Sequence, residues 1–347
     1  MNIEKLLQFT APTKLRLDGD ALISNWRALA KASGKAQTGA AVKANAYSLG
    51  AREVARRLFE AGCKDFFVAH WQEAAAIADI VPPKCISVLN GVGASDVSAA
   101  ICLGAVPVLN TPDQIMSWKA AGGGRCHVMI DTGINRLGIG PEQISSELFS
   151  GLDIDILMSH LASADVDVPQ NAAQLSMFKQ LSIEIPARRR SLANSAGIML
   201  GPDYHFDLTR PGLSLYGGAA RSEMTDFIKQ VAYPQARILQ VRTLKAGDTV
   251  GYNATYVCPK DMRVATAAIG YADGYSRAFS NVGHVRYGET VLSIIGRVSM
   301  DVITIDATVS PELKEDDWID IAYDLPAAAR TSGLSQYELL TRLASAR

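Results

Sequence analysis

The chain has 347 residues, 48% of them hydrophobic, and a formal net charge of −1. That length buries a large core and ordinarily divides into two domains; the near-zero charge leaves no basic surplus for nucleic acid or an anionic membrane, so small-molecule work is the expectation. The five cysteines, Cys63, Cys85, Cys102, Cys126 and Cys258, lack CxxC spacing, which predicts neither a disulfide framework nor a bound metal and fits a reducing cytoplasm.

The opening MNIEKLLQFTAPTKLRLD interrupts its apolar run with charges, so neither a signal peptide nor a membrane span is expected. From there to Arg221, apolar or β-branched runs alternate with stretches of helical periodicity, the pattern of βα units around a parallel sheet. Asp18 stands as a cap before DALISNWRALAKASG, and REVARRLFEAG sets Val54, Leu58 and Ala61 on one face and stops at Gly62. Strands are predicted in TGAAVK, DFFVA, CISVL, AVPVL, RCHVMI, IDILMS, RSLA and FDLT. Eight such units over this length match an α/β (β/α)8 TIM barrel, whose active sites lie at the C-terminal strand ends. Beyond Ser222 the pattern changes to alternating segments such as ARILQVRTL, RVATAAIG and DVITIDA, a C-terminal and mainly β domain whose one expected terminal helix is SQYELLTRLASAR. The expected division is therefore 9–221 and 222–347.

Polar residues cluster at the predicted strand ends: Lys43, Asn90, Asn110, Asp131, His160, Asn194 and Arg210. Turn and cap preferences account for Asn90 and Asn110, but less well for Lys43 and Arg210. A partly desolvated lysine has a lowered pKa and supplies a neutral amine for a Schiff base with an aldehyde cofactor; a solvated lysine just past a strand is the ordinary alternative. Phosphate in such barrels is often held after strands seven and eight, where LANSAG and TRPGLSLYG stand. Asn194 and Ser195 bring side-chain donors there, and Gly212 lets backbone N–H groups, including that of Leu213, approach an anion. Each loop alone reads equally well as a cap or turn; it is the pairing that points to phosphate.

AAVKANAYSLG, IDTGINRLGIG, MSHLASAD, SLANSAG, FDLTRPGLSLYGG, VGYNATY, IGYADGY and GRVSMD together resemble, in order, the signature segments of bacterial alanine racemases. The resemblance spans nearly the whole chain. It implies a pyridoxal 5'-phosphate barrel, a C-terminal β domain with residues 1–8 packed on it, and a homodimer whose active sites join one subunit's barrel to the other's β domain. It makes Lys43 the cofactor lysine and one base, with Tyr47 near the phosphate, and Tyr252 of the partner subunit the base on the opposite face. Arg210 would meet the pyridine nitrogen and His160 would support it. Arg136 and the Met300 backbone N–H would handle the substrate carboxylate, with Tyr271 at the entrance and Asp301 in support.

Two bases on opposite faces suit a reaction that inverts an α-carbon, since a single base would mainly return the starting isomer. A tyrosine acting as base needs cationic neighbours to hold its anion, and Arg136 is the candidate. Three differences from the common pattern stand out: Met129 where relatives often carry a carbamylated lysine that positions the arginine, Ser299 where cysteine is frequent, and an end at ASAR where relatives often continue. The alternatives are a broad-specificity, serine or lysine racemase using the same bases, a decarboxylase, which would place an acid where Arg210 stands, and a non-catalytic cofactor-binding protein, which would leave VGYNATY without a role. The expected setting is D-alanine supply for peptidoglycan, or D-alanine breakdown, in the cytoplasm.

Overall fold

Short apolar strands lie parallel when a helix after each returns the chain to the start of the next. The computed structural model describes residues 10–343. In its unit Gly19–Lys229, Ala40–Ala41, Phe66–Val68, Ile86–Val88, Val106–Leu109, Cys126–Met129, Ile154–Met158 and Arg189–Ser191 are parallel neighbours in that order. The eighth strand, Leu208–Thr209, pairs in parallel with Gln37–Thr38, just before the first. Bonds of 2.8 Å from Arg210 N to the Ala193 carbonyl and 2.9 Å from Ala41 N to the Pro211 carbonyl complete the ring. The predicted barrel is present.

Periodicity explains how the helices dress it. In Ala51–Glu60, Val54 and Leu58 are fully buried while Arg52, Arg56 and Glu60 face water, and the chain leaves the helix through Gly62 at φ +111. Burying each such apolar side chain is worth about 1.5–3 kcal/mol. Alternate strand residues divide between two cores: Ala41, Phe67, Val108, Met129, Ile156, Met158 and Leu208 form one cluster inside the ring. Val128, Ile130 and Leu157 pack outward with Ile115, Trp118 and Phe178 of the helices Pro112–Ala120 and Pro169–Leu181. At the N-terminal strand ends Arg189 reaches both Asp65 (2.9 Å) and Asp155 (2.8 Å), and Arg125 also bonds Asp155 at 2.6 Å.

The second unit runs from Gln230 and takes in the segment before Gly19. Its sheet orders Thr13–Leu17, Ala232–Leu244, Met262–Ala267, Ile303–Asp306, Thr290–Ile295, His284–Tyr287 and Trp318–Ile321, the last pairing back onto Ala232–Leu244 to make a closed antiparallel barrel. Ala232, Pro234, Ala236 and Ile238 point inward at period two, as the alternation predicts.

The units part after Lys229 rather than near Ser222. The buried Asn25 amide explains this: it donates to the Lys229 carbonyl and accepts from the Lys229 N–H, both at 2.8 Å, binding this stretch to the first helix, Gly19–Ala32. The expectation for residues 1–8 lies outside the described residues. A helix at Leu325–Ser332 corrects the single terminal helix of the sequence reading. Its signals are ordinary ones: Asp324 caps the Ala327 N–H, Pro326 stands in the first turn, and Gly333 ends it in the left-handed region. Among the described residues no helix is long and apolar enough to cross a membrane.

Candidate active site

Lys43 does not end its strand; it opens a turn of the wrong hand. Ala44, Asn45, Ala46, Tyr47 and Ser48 take φ of 53, 52, 53, 55 and 71°, and none is glycine. Left-handed helical backbone costs L-residues roughly 1–2 kcal/mol each, so surrounding contacts must hold it. Asn45 Oδ1 accepts the Ala51 N–H at 2.8 Å, and Tyr47 packs on buried Tyr216 at 4.8 Å between ring centroids. Tyr216 in turn donates its hydroxyl to the Ala41 carbonyl. Glu73, in the helix Trp71–Ile77, accepts the Ala44 N–H at 2.6 Å through one oxygen and the Ala69 N–H at 2.7 Å through the other. The Lys43 amine is half-buried, and its pKa is lowered by burial first, then by Arg136 and Arg210, with Glu73 opposing them.

Arg210 is 7% exposed, and no carboxylate pairs with it among the described residues. Its guanidinium donates to Ser191 Oγ and to the Ser159 carbonyl. These bonds, rather than one from His160, hold it in place. Burial pulls its pKa down to about 10, which still leaves it charged at neutral pH. His160 is pushed down to about 3 by burial, with Arg210, Arg136 and Lys43 adding, and so stays a neutral imidazole. Arg136 is exposed on a loop gripped by Asp131, whose carboxylate accepts the N–H groups of Gly133, Ile134 and Arg136 at 2.8, 3.0 and 3.1 Å. Met129 lies inside the apolar barrel cluster. Asp131 thus fixes the main chain of this loop, that of Arg136 included.

The paired loops meet as expected. Ser195 Oγ accepts the N–H groups of Gly212 (2.9 Å) and Ser214 (3.3 Å), which uses its two acceptor positions and leaves its own proton to give. Asn194 Oδ1 caps Gly197, and its Nδ2 and the Leu213 N–H find no acceptor among the described residues. A Cβ on Gly212 would stand 2.3 Å from Tyr47 Oη, so only glycine lets the tyrosine hydroxyl close on this loop. Hydroxyl, amide and backbone donors therefore gather where the two loops meet, a donor set suited to a phosphate.

Tyr252, Tyr271, Met300 and Asp301 belong to the second unit. Tyr271 N–H donates to the Ser299 carbonyl at 3.1 Å and Ala272 N–H to that of Met300 at 3.0 Å, while Gly251, beside Tyr252, lies against the Arg297 backbone. Three loops are thereby drawn to one end of the antiparallel barrel. Tyr252, Met300 and Tyr271 are 64%, 53% and 42% exposed there, and Asp301 is exposed beside them. No acceptor among the described residues takes the Met300 N–H.

Residues 17–220 match the alanine racemase N-terminal domain and residues 231–347 the alanine racemase C-terminal domain. The chain belongs to the alanine racemase family. It is 38% identical to the biosynthetic alanine racemase of Agrobacterium fabrum over 96% of this chain and 92% of that one. It is 40% identical to the catabolic alanine racemase of the same organism over 95% and 89%. The crystal structure of alanine racemase from Bartonella henselae with covalently bound pyridoxal phosphate superimposes with a TM-score of 0.88 at 33% identity, covering 96% of this chain and 98% of that one.

Beside the family's motifs, the geometry adds residues that sequence reading missed. Ser159 and Ser191 anchor Arg210, and Gln174 ties the Ala162 N–H, the His160 carbonyl and Thr132 together. Ser159 ends one predicted strand and Ser191 lies within another, but nothing marks Gln174 or Glu73 in their helices. Each is an ordinary polar residue at a helical position until the fold brings a loop to it.

Proposed function

We propose that this chain interconverts L-alanine and D-alanine with pyridoxal 5'-phosphate, through Lys43 on one face of the α-carbon and Tyr252 of a partner subunit on the other. One observation carries the reading: a buried guanidinium without a carboxylate stands beside a cradle closed by Gly212, Tyr47 and Ser195, at the strand ends next to Lys43. This buried cation is held by a hydroxyl and a carbonyl but by no carboxylate, so its charge is not neutralised within the described residues. Tyr47, Asn194, Ser195, Gly212 and Leu213 would hold the phosphate, Lys43 the aldehyde carbon, and Arg210, held by Ser159 and Ser191 with the neutral His160 ring nearby, the ring nitrogen. When bound, the cofactor supplies an electron sink for the charge left on the α-carbon.

The residues then divide the proton work. Lys43, with its lowered pKa, can serve as a neutral base on one face and return a proton as an acid; Tyr252 does the converse on the other. Arg136 and the Met300 N–H orient the substrate carboxylate, and Arg136 favours the tyrosinate form by charge. Arg210 cannot give up a proton near neutral pH, which keeps charge from settling on the ring and disfavours transamination. Tyr271 lines the approach, and Asp301 supports the Tyr252 group.

The exposure of Tyr252, Met300 and Tyr271 supports a homodimer in which a second copy covers them. Five free thiols, three of them buried, accord with a reducing cytoplasm, where D-alanine serves peptidoglycan precursor supply. The test is turnover of L-alanine, L-serine and L-lysine in parallel, with the visible absorbance of the purified protein. Preferential alanine racemisation with bound cofactor is expected; preference for serine or lysine replaces the substrate, and bound cofactor without racemisation overturns the enzyme reading. Mixing Lys43→Ala and Tyr252→Phe proteins should restore activity through hybrid sites. Failure despite demonstrated subunit exchange removes the shared site.

A further inference from the structure

The left-handed turn after Lys43 begins with a backbone problem that any helical turn shares. Its first N–H groups have no acceptor within the turn, and here the residues that follow are held against their own conformational preference. The Ala44 N–H, immediately after the lysine, is given to Glu73 Oε1 at 2.6 Å. Glu73 Oε2 takes the Ala69 N–H at 2.7 Å, at the end of the neighbouring strand Phe66–Val68. One carboxylate, its side chain only 15% exposed, therefore fastens the lysine turn to the barrel rim with two charge-assisted bonds.

We propose that Glu73 is the positioning residue of Lys43, clipping the left-handed turn to the second barrel strand and setting a single negative charge against the cations of the rim. The inference rests on the reading of Lys43 as the cofactor lysine and proton carrier. The groups acting on the Lys43 amine are Arg136 and Arg210, which disfavour its charged form, and Glu73, which favours it. His160 faces the same amine as a neutral ring, and His70 approaches the Glu73 carboxylate at 3.8 Å. Without Glu73 nothing acidic in this set counters burial and the two arginines, and the amine would hold a proton less readily than the return step requires.

Glu73→Gln keeps the shape but presents an amide N–H₂ to one of two backbone donors, so it loses both the charge and one bond. Three readouts are expected to move together. Hydrogen exchange of a peptide covering residues 43–50 accelerates, and the pH midpoint for labelling Lys43 with an amine reagent, in the full chain freed of cofactor, moves down. In the loaded enzyme kcat falls roughly 10- to 100-fold, the size expected for a lost hydrogen bond to a charged group, with the KM for alanine changed far less. Glu73→Asp, which keeps the charge on a shorter arm, should restore most of the labelling midpoint while exchange stays fast. Wild-type exchange and an unmoved midpoint in Glu73→Gln overturn the proposal; if that variant does not fold, Glu73→Asp with wild-type exchange does so alone. Lys43→Ala separates the two questions. If it still racemises, the reading of Lys43 falls, while exchange at the turn still reports on the clip.

Discussion

The two ends of the parallel barrel treat charge in opposite ways. At the N-terminal strand ends, Arg189 is shared between Asp65 and Asp155 and Arg125 also meets Asp155, so every cation of that group has a carboxylate. At the C-terminal ends Arg210 is buried with none, and Lys43 stands with Arg136 and Arg210 against Glu73 alone. Paired, partly buried charges fix strand register and resist removal of either partner. Unpaired ones gain a partner only when something anionic arrives. The same fold thus keeps neutralised charge at one rim and unneutralised charge at the other, and the second is the end at which barrel enzymes keep their sites.

That contrast can be broken at either rim. The largest effect should come from Lys43→Ala, with racemisation down by roughly a thousandfold or more and the melting temperature within a few degrees of wild type, because the proposed proton-transfer group is lost while little packing is. A comparable loss of stability would mean the upper rim is structural as well. Arg189→Met at the lower rim should do the reverse, costing about 3 kcal/mol of stability in a denaturant titration, since it leaves the buried Asp65 without a cation and Asp155 with Arg125 alone. Turnover per folded site should stay near wild type.

Gly212→Ala should weaken cofactor binding about tenfold and cost on the order of 1–3 kcal/mol, because the new Cβ must displace the Tyr47 hydroxyl; equilibrium dialysis against the cofactor reads it. A smaller change is expected from Asp131→Asn. Losing the charge that collects three loop N–H groups should raise the KM for alanine a few-fold, about 1 kcal/mol, and an unchanged KM would show that Arg136 is placed by something else.

The smallest effect concerns pH. Burial pushes the Asp155 carboxyl up, but the hydrogen bond and charge of Arg189, with His127 and Arg125 adding, more than reverse this and leave it below its ordinary value. A carboxylate depressed in the folded state stabilises above its unfolded pKa of about 4, and that contribution disappears as the pH falls through the folded value. The stability difference between wild type and Asp155→Asn should therefore narrow on acidification from neutral pH. A gap that stays constant would assign Asp155 to packing rather than charge.

Much of this was legible in order along the chain. Apolar runs mark most of the eight strands because a buried parallel strand must be apolar on both faces, the seventh, Arg189–Ser191, being the polar exception, and Asn194, Ser195, Gly212 and Arg210 declare themselves as donors and a cation just past the last two. The period-two alternation of Ala232–Ile238 likewise gives a half-buried strand directly. What composition could not show was the hand of the turn after Lys43. Positive φ is signalled in sequence by glycine, and KANAYS has none; its conformation is held by Glu73 and Tyr216 from outside and by the bond from Ala51 to Asn45. The division after Lys229 depends in the same way on the one side chain of Asn25, far back in the chain. Local sequence determined which segments are strands and helices and which residues carry chemistry, because periodicity and donor type are local properties. Which carboxylate holds the lysine, which serines hold Arg210, and why Gly212 must be bare were decided only by tertiary structure, because each depends on a partner that sequence distance conceals and closure of the barrel supplies.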